Sequence, residues 1–97
     1  MEIGPDGISQ DQLPPDLMRQ ALIRATELAL AGDWDGAHGI VQTQERDATA
    51  CWIHACLHKL EPDESNSRYW YRRSGHAYEE YTDARTELVA IKAALTY

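Results

Sequence analysis

Turn-forming residues punctuate this chain closely enough that only short helices can form between them. Pro14-Pro15, Gly32-Asp33, Pro62-Asp63 and Gly75 are the strongest breakers, and two of them, Gly32-Asp33 and Pro62-Asp63, set a residue that stops one helix beside a residue that can start the next. Between the breakers, apolar residues recur at three- and four-residue spacing, the helical period. The first predicted helix starts at Pro14-Pro15-Asp16, where the fixed φ of proline suits a first turn and the acid meets the positive end of the dipole. Leu17, Met18, Ala21, Leu22, Ala25, Leu28 and Ala29 then fall within an arc of about 140°, and Gly32 ends the run. A second helix is predicted from Trp34 to Gln44, capped by Asp33, with Trp34, Ala37, Ile40 and Val41 on one side. Gly36 and Gly39 within it point to a close neighbour, since each weakens a helix by roughly 1 kcal/mol relative to alanine.

Glu45-Arg46-Asp47 makes the next turn, and Ala48 to Leu60 forms a third helix with the stripe Trp52, Ile53, Cys56, Leu57 and Leu60. Asp63 caps a fourth from Glu64 to Ser74, with Ser67, Trp70 and Tyr71 on one face. A fifth, Tyr78 to Thr96, carries Tyr81, Ala84, Leu88, Ile91 and Leu95. No window keeps a period of two, and hairpin turns of the Asn-Gly kind are absent. The predicted fold is therefore all-α: a single five-helix domain of two antiparallel helical hairpins and a long C-terminal helix. All three tryptophans lie on apolar stripes, which places Trp34, Trp52 and Trp70 in its core.

A chain of 97 residues suits one domain, with residues 1–13, rich in turn formers, as an arm and 14–97 as the folded unit. At 43% hydrophobic and 26% charged it lies well away from the composition of disordered chains. Sixteen acids against nine bases give a net charge of -7, which repels phosphate backbones and anionic lipid heads and argues against nucleic acid and membrane partners. No apolar run nears the roughly 20 residues of a membrane span, and Met1-Glu2-Ile3-Gly4 lacks the start of a signal peptide. Cys51 and Cys56 lie five apart on one helix, where their side chains diverge by roughly 140°, so a disulfide between them is not expected. Reduced thiols and the plain amino terminus together predict a cytoplasmic address.

The turn at Ala31-Gly32-Asp33-Trp34 and the turn at Glu61-Pro62-Asp63-Glu64 superpose, with Asp33 over Asp63 and the small Ala37 over Ser67. In each unit a helix leads into a tight turn, and a small residue follows where two helices must approach closely. The pattern is similar to tetratricopeptide-type repeats; any antiparallel α-hairpin with an aspartate cap yields the same spacing. Trp34-Asp35-x-Ala37-His38, Trp52-Ile53-His54-Ala55-x-Leu57-His58, Asn66 and Tyr69-Trp70-Tyr71-Arg72-Arg73 also resemble segments of a group of short bacterial proteins with no established activity. That resemblance implies a small all-helical fold and a role for the histidines.

Two sets of residues are candidates for function. His54 and His58 are four apart, the spacing that lets two imidazoles share a Zn or Ni ion, and they point away from the predicted apolar stripe. Two nitrogens do not hold a metal, so His38 on the second helix would have to complete the set. The alternatives are an exposed or second-layer histidine pair, and histidines that recognise a ligand or partner. Tyr69, Arg72 and Arg73 mix aromatic and guanidinium groups as binding hot spots do, although a solvated face would use the same residues. Phosphate-binding glycine loops, a nucleophile elbow, HExxH and CxxC are all missing. The reading from sequence is a non-catalytic module that binds another protein or peptide and carries no cofactor. Its rival is a small-ligand or metal-binding protein, or an enzyme, built on His38, His54 and His58. Two hairpins fall short of a self-supporting stack, and Ile23 and Leu30 lie off the first helix's stripe, so a homodimer is expected. A fifth helix folded back over the open face would remove that need.

Overall fold

The computed structural model describes residues 12–97. Five α-helices follow one another within it: α1 (Pro15–Leu30), α2 (Trp34–Val41), α3 (Ala48–Leu60), α4 (Glu64–Ser74) and α5 (Ala84–Thr96), with a 3-10 turn at Tyr78–Glu80. No strand forms among the described residues, and the predicted all-α single domain is what is found. Apart from Gln12 and Leu13, the predicted arm lies outside the described residues. Leu13 itself packs against the core, and its N–H donates to Gln44 Oε1 at 3.3 Å.

Aspartates start the later helices. Asp33 accepts the N–H of Gly36, Asp47 that of Ala50, Asp63 that of Asn66 and Asp83 that of Thr86; each such cap is worth about 1 kcal/mol. Gly36 serves the first of these, because a Cβ there would collide with the Asp33 carboxylate. The close neighbour expected at this glycine is thus the cap of its own helix. Gly75, at φ 83°, closes α4 in the left-handed conformation that glycine adopts without strain.

Two predicted boundaries are corrected. Helix α2 stops at Val41 rather than Gln44, since Gln44 turns back with its N–H on Val41 O at 2.9 Å. Helix α5 starts at Ala84 rather than Tyr78. Lys59 Nζ donates to the carbonyls of Tyr78 and Tyr81 at 2.9 and 3.0 Å, which holds that segment off a helical path until Asp83 can cap.

Helices α1 and α2 form one hairpin and α3 and α4 another, while α5 lies on α1 and α3. Helix α3 touches all four of the others, so it is buried on every side rather than along one stripe. Cys51, His54, Ala55 and His58, expected off the core, are buried beside Ile53, Cys56 and Leu57, while Leu60 from the expected stripe is exposed. Neighbours on each face, not the helix's own pattern, set this burial. Ala37 and Ser67 are fully buried as the close-approach residues, and Ser67 Oγ donates to Ala55 O at 2.7 Å.

The tryptophans are more buried than exposed, as expected, though none is fully buried. Trp34 and Trp52 border the core while Trp70 stays outside it. Each indole of the first two uses its N–H: Trp34 Nε1 donates to Leu57 O and Trp52 Nε1 to Glu87 Oε2, both at 2.7 Å. Leu88 and Ile91 of α5 are fully buried, so this helix covers the face that two hairpins alone would leave open. Ile23 and Leu30 are half-buried. No helix among the described residues is long and apolar enough to cross a membrane.

Candidate functional site

Helices α2, α3 and α4 enclose an open groove of about 510 Å³. Its residues come in pairs four apart, which places both members of a pair on one face of their helix: Trp34 and His38 on α2, His54 and His58 on α3, Asn66 and Trp70 on α4. Tyr69, Gln42 and Glu45 complete the lining. A hollow of about 600 Å³ between α1 and α5 is larger, but among its lining residues there is no histidine or cysteine.

The three histidines converge at the floor. His54 and His58 are only 3% and 6% exposed, and His38 leans over them from α2. His38 Nε2 lies 3.2 Å from His54 Nε2. The ring centroids are 4.8 Å apart for His38 and His54, 5.5 Å for His38 and His58, and 5.0 Å for His54 and His58. One ring nitrogen from each histidine lies within 4.8 Å of one from each of the others.

Neighbours fix the three rings. Trp34 stacks on His38 at 4.6 Å and 12°, its own position held by the bond to Leu57 O. Trp70 stacks on His54 at 3.9 Å and 12°. His58 Nδ1 is 2.7 Å from Glu61 Oε1, a contact that assigns a proton to Nδ1. Burial pushes the His54 imidazole down to about 3, helped by His38 and His58, and burial, with His58, also lowers His38. Those two rings are therefore neutral at physiological pH. His54 Nδ1 is buried with no hydrogen-bond partner.

The predicted set divides. His38, His54, His58 and Tyr69 share the groove. Arg73 stands behind its wall, its guanidinium 5.8 and 5.7 Å from the rings of Tyr69 and Trp70 and bonded to Glu45 O at 3.4 Å. Arg72 faces elsewhere, beside Tyr71, His76 and Tyr78. At 100° per residue it lies about 110° from the centre of the arc shared by Asn66, Tyr69, Trp70 and Arg73 and outside that arc, so helical arithmetic separates it from them. Trp34 and Trp70, assigned to the core from sequence, and Glu61, assigned to a turn, belong to the site. Their four- and three-residue offsets from His38, Asn66 and His58 carried the signal.

What the groove can do follows from these donors. Neutral imidazoles present lone pairs to a cation or accept and donate hydrogen bonds to a small polar ligand. An activated thiol is not on offer: Cys51 Sγ donates to Glu45 O at 3.2 Å, and burial pushes that thiol up. No family model matches the chain, and neither a curated protein nor a solved structure shows a match. The chemistry of the groove therefore carries the functional reading.

Proposed function

We propose that this protein binds a small ligand or ion in the groove floored by His38, His54 and His58. The observation that carries the reading is the convergence of three imidazoles at the groove floor, with His38 Nε2 and His54 Nε2 3.2 Å apart, one ring nitrogen of each histidine within 4.8 Å of the others, and His54 Nδ1 buried without a partner. An apolar side chain of similar volume would fill that position at lower cost, because an unpaired buried polar atom is worth about 1–3 kcal/mol against folding. Ligand binding gives the cluster its reason.

This departs from the module for a protein or peptide that the sequence suggested. The polar atoms lie at the floor, below the aromatic rim, within reach of a small species but recessed from a flat partner. The tetratricopeptide-like reading of the two hairpins offers no open stack, since α5 closes over α1 and α3. The groove residues do fall within the segments that resemble the short bacterial proteins, and a reducing compartment suits the free thiols of Cys51 and Cys56.

His54→Leu tests the reading without knowledge of the ligand. In denaturant melts run with chelator present, the variant should match or exceed the wild type, losing no more than about 1 kcal/mol. A loss of about 3 kcal/mol or more would make the imidazole a structural member of the core and overturn the proposal.

A further inference from the structure

Resting on the groove as the working site, the geometry points to its occupant: one divalent transition-metal ion of the tetrahedral Zn(II) class. It is held by one ring nitrogen each of His38, His54 and His58, with a fourth position open to the groove. A tetrahedral ion with metal–nitrogen bonds of about 2.0–2.1 Å sets its ligand nitrogens about 3.4 Å apart and their ring centroids about 5 Å apart. The Nε2 atoms of His38 and His54 are 3.2 Å apart. All three centroid distances, 4.8, 5.5 and 5.0 Å, lie close to the tetrahedral value.

The scaffold supplies what a metal site needs beyond its ligands. His54 and His58 project from one turn of α3, and His38 closes the set from α2, so two rigid elements hold the three rings. Glu61 accepts the Nδ1 proton of His58 at 2.7 Å. This is the carboxylate-to-histidine contact that fixes the tautomer and turns the other nitrogen toward a metal. The stacked indoles of Trp34 and Trp70 restrain the other two rings.

The donor set also selects the ion. Imidazole nitrogen suits Zn and Ni, whereas Mg and Ca require several oxygens. Thiolate does not complete the sphere, because Cys51 Sγ is turned to Glu45 O and Cys56 Sγ lies 3.9 Å from Tyr71 OH. Three protein ligands and an open position are the pattern of a site that admits an exchangeable ligand. The neighbouring group of His58, Glu61 and Asp63 is no rival. Asp63 is engaged as the α4 cap with Ser65 and Asn66, and Glu61 is spent on His58.

The test uses the full chain stripped with chelator and then titrated with Co(II), whose absorption reports geometry, followed by displacement with Zn(II). Expected are one ion per chain, the intense visible bands of four-coordinate Co(II), and loss of binding in His38→Ala and His54→Ala. Glu61→Ala should weaken affinity about 10–100-fold, and His76→Ala, outside the cluster, should leave it unchanged. Should His54→Ala fail to fold, His38→Gln on half-buried α2 removes one ligand with little structural consequence. Binding that survives loss of His38, a six-coordinate weakly coloured spectrum, or no binding at micromolar ion overturns the metal assignment. If metal fails while His54→Leu remains stable, the groove reading stands with an organic ligand; if metal fails and His54→Leu is destabilised, both fall.

Discussion

Helix α3 carries two buried polar clusters on sides about 130° apart, and they are built on opposite principles. On one side Glu87, fully buried, takes Trp52 Nε1 on Oε2 at 2.7 Å, Tyr71 OH on both oxygens at 2.8 Å and Lys59 Nζ on Oε1 at 3.0 Å. Lys59 sends its remaining donors to the carbonyls of Tyr78 and Tyr81 and lies 4.8 Å over each of the Tyr71 and Tyr78 rings. Every charge has its partner, so the cluster closes on itself and ties α3, α4, α5 and the 3-10 turn together. On the other side His38, His54 and His58 lean together with lone pairs to spare and one nitrogen without a partner. A saturated network has nothing left for a ligand, whereas an unsaturated one held rigid is poised to receive one.

The two sides should respond differently to substitution, and the largest effect belongs to the saturated one. Glu87→Ala leaves the Lys59 ammonium buried and unpaired, and should cost about 3–5 kcal/mol in urea melts. That is a large share of the about 5–15 kcal/mol of a whole domain, and a loss below 1 kcal/mol would break the contrast. Tyr71→Phe removes one hydroxyl but leaves the ion pair, so about 2 kcal/mol is expected from the carboxylate left short of a donor.

Acid should act on the histidine side. In chelated protein, burial sets the folded-state value of His54 at about 3, down from the ordinary 6.5, so the unfolded chain takes up the proton first. The contribution of the neutral ring is complete above about pH 6.5 and is lost as pH falls toward 3, by at most about 1.4 kcal/mol per pH unit. Melts across that window should show the slope, and His54→Leu should flatten it. The smallest effect is that of His54→Leu at neutral pH, near zero or stabilising, and it sharpens the comparison most because the same kind of substitution on the other side is ruinous.

Much of this was legible in the chain. The ends of α3 and α4 match their signals, because caps and breakers act within one turn. The start of α5 was not legible, since Tyr78 and Tyr81 fit the helical period and only Lys59, distant in sequence, takes their carbonyls. The pairing of His54 with His58 on one face was readable from their spacing, and His38 is the histidine that comes beside them. That Trp34 and Trp70 also line the groove was not readable, because an aromatic on an apolar stripe serves a core and a groove wall equally well in one dimension.

The sequence by itself determined how many helices there are, which aspartates start them, that Gly75 ends α4, and which residues share each helix face. These are interactions between residues three or four apart. Only the tertiary structure decided what each face meets: that α3 lies at the centre and is buried all round, that α5 turns back over α1 and α3, and that Glu87 reaches Lys59. It also decided that the His38 ring comes to rest 3.2 Å from His54. A helical period specifies direction about an axis; the neighbour found in that direction depends on how several helices pack at once, and no local pattern encodes it.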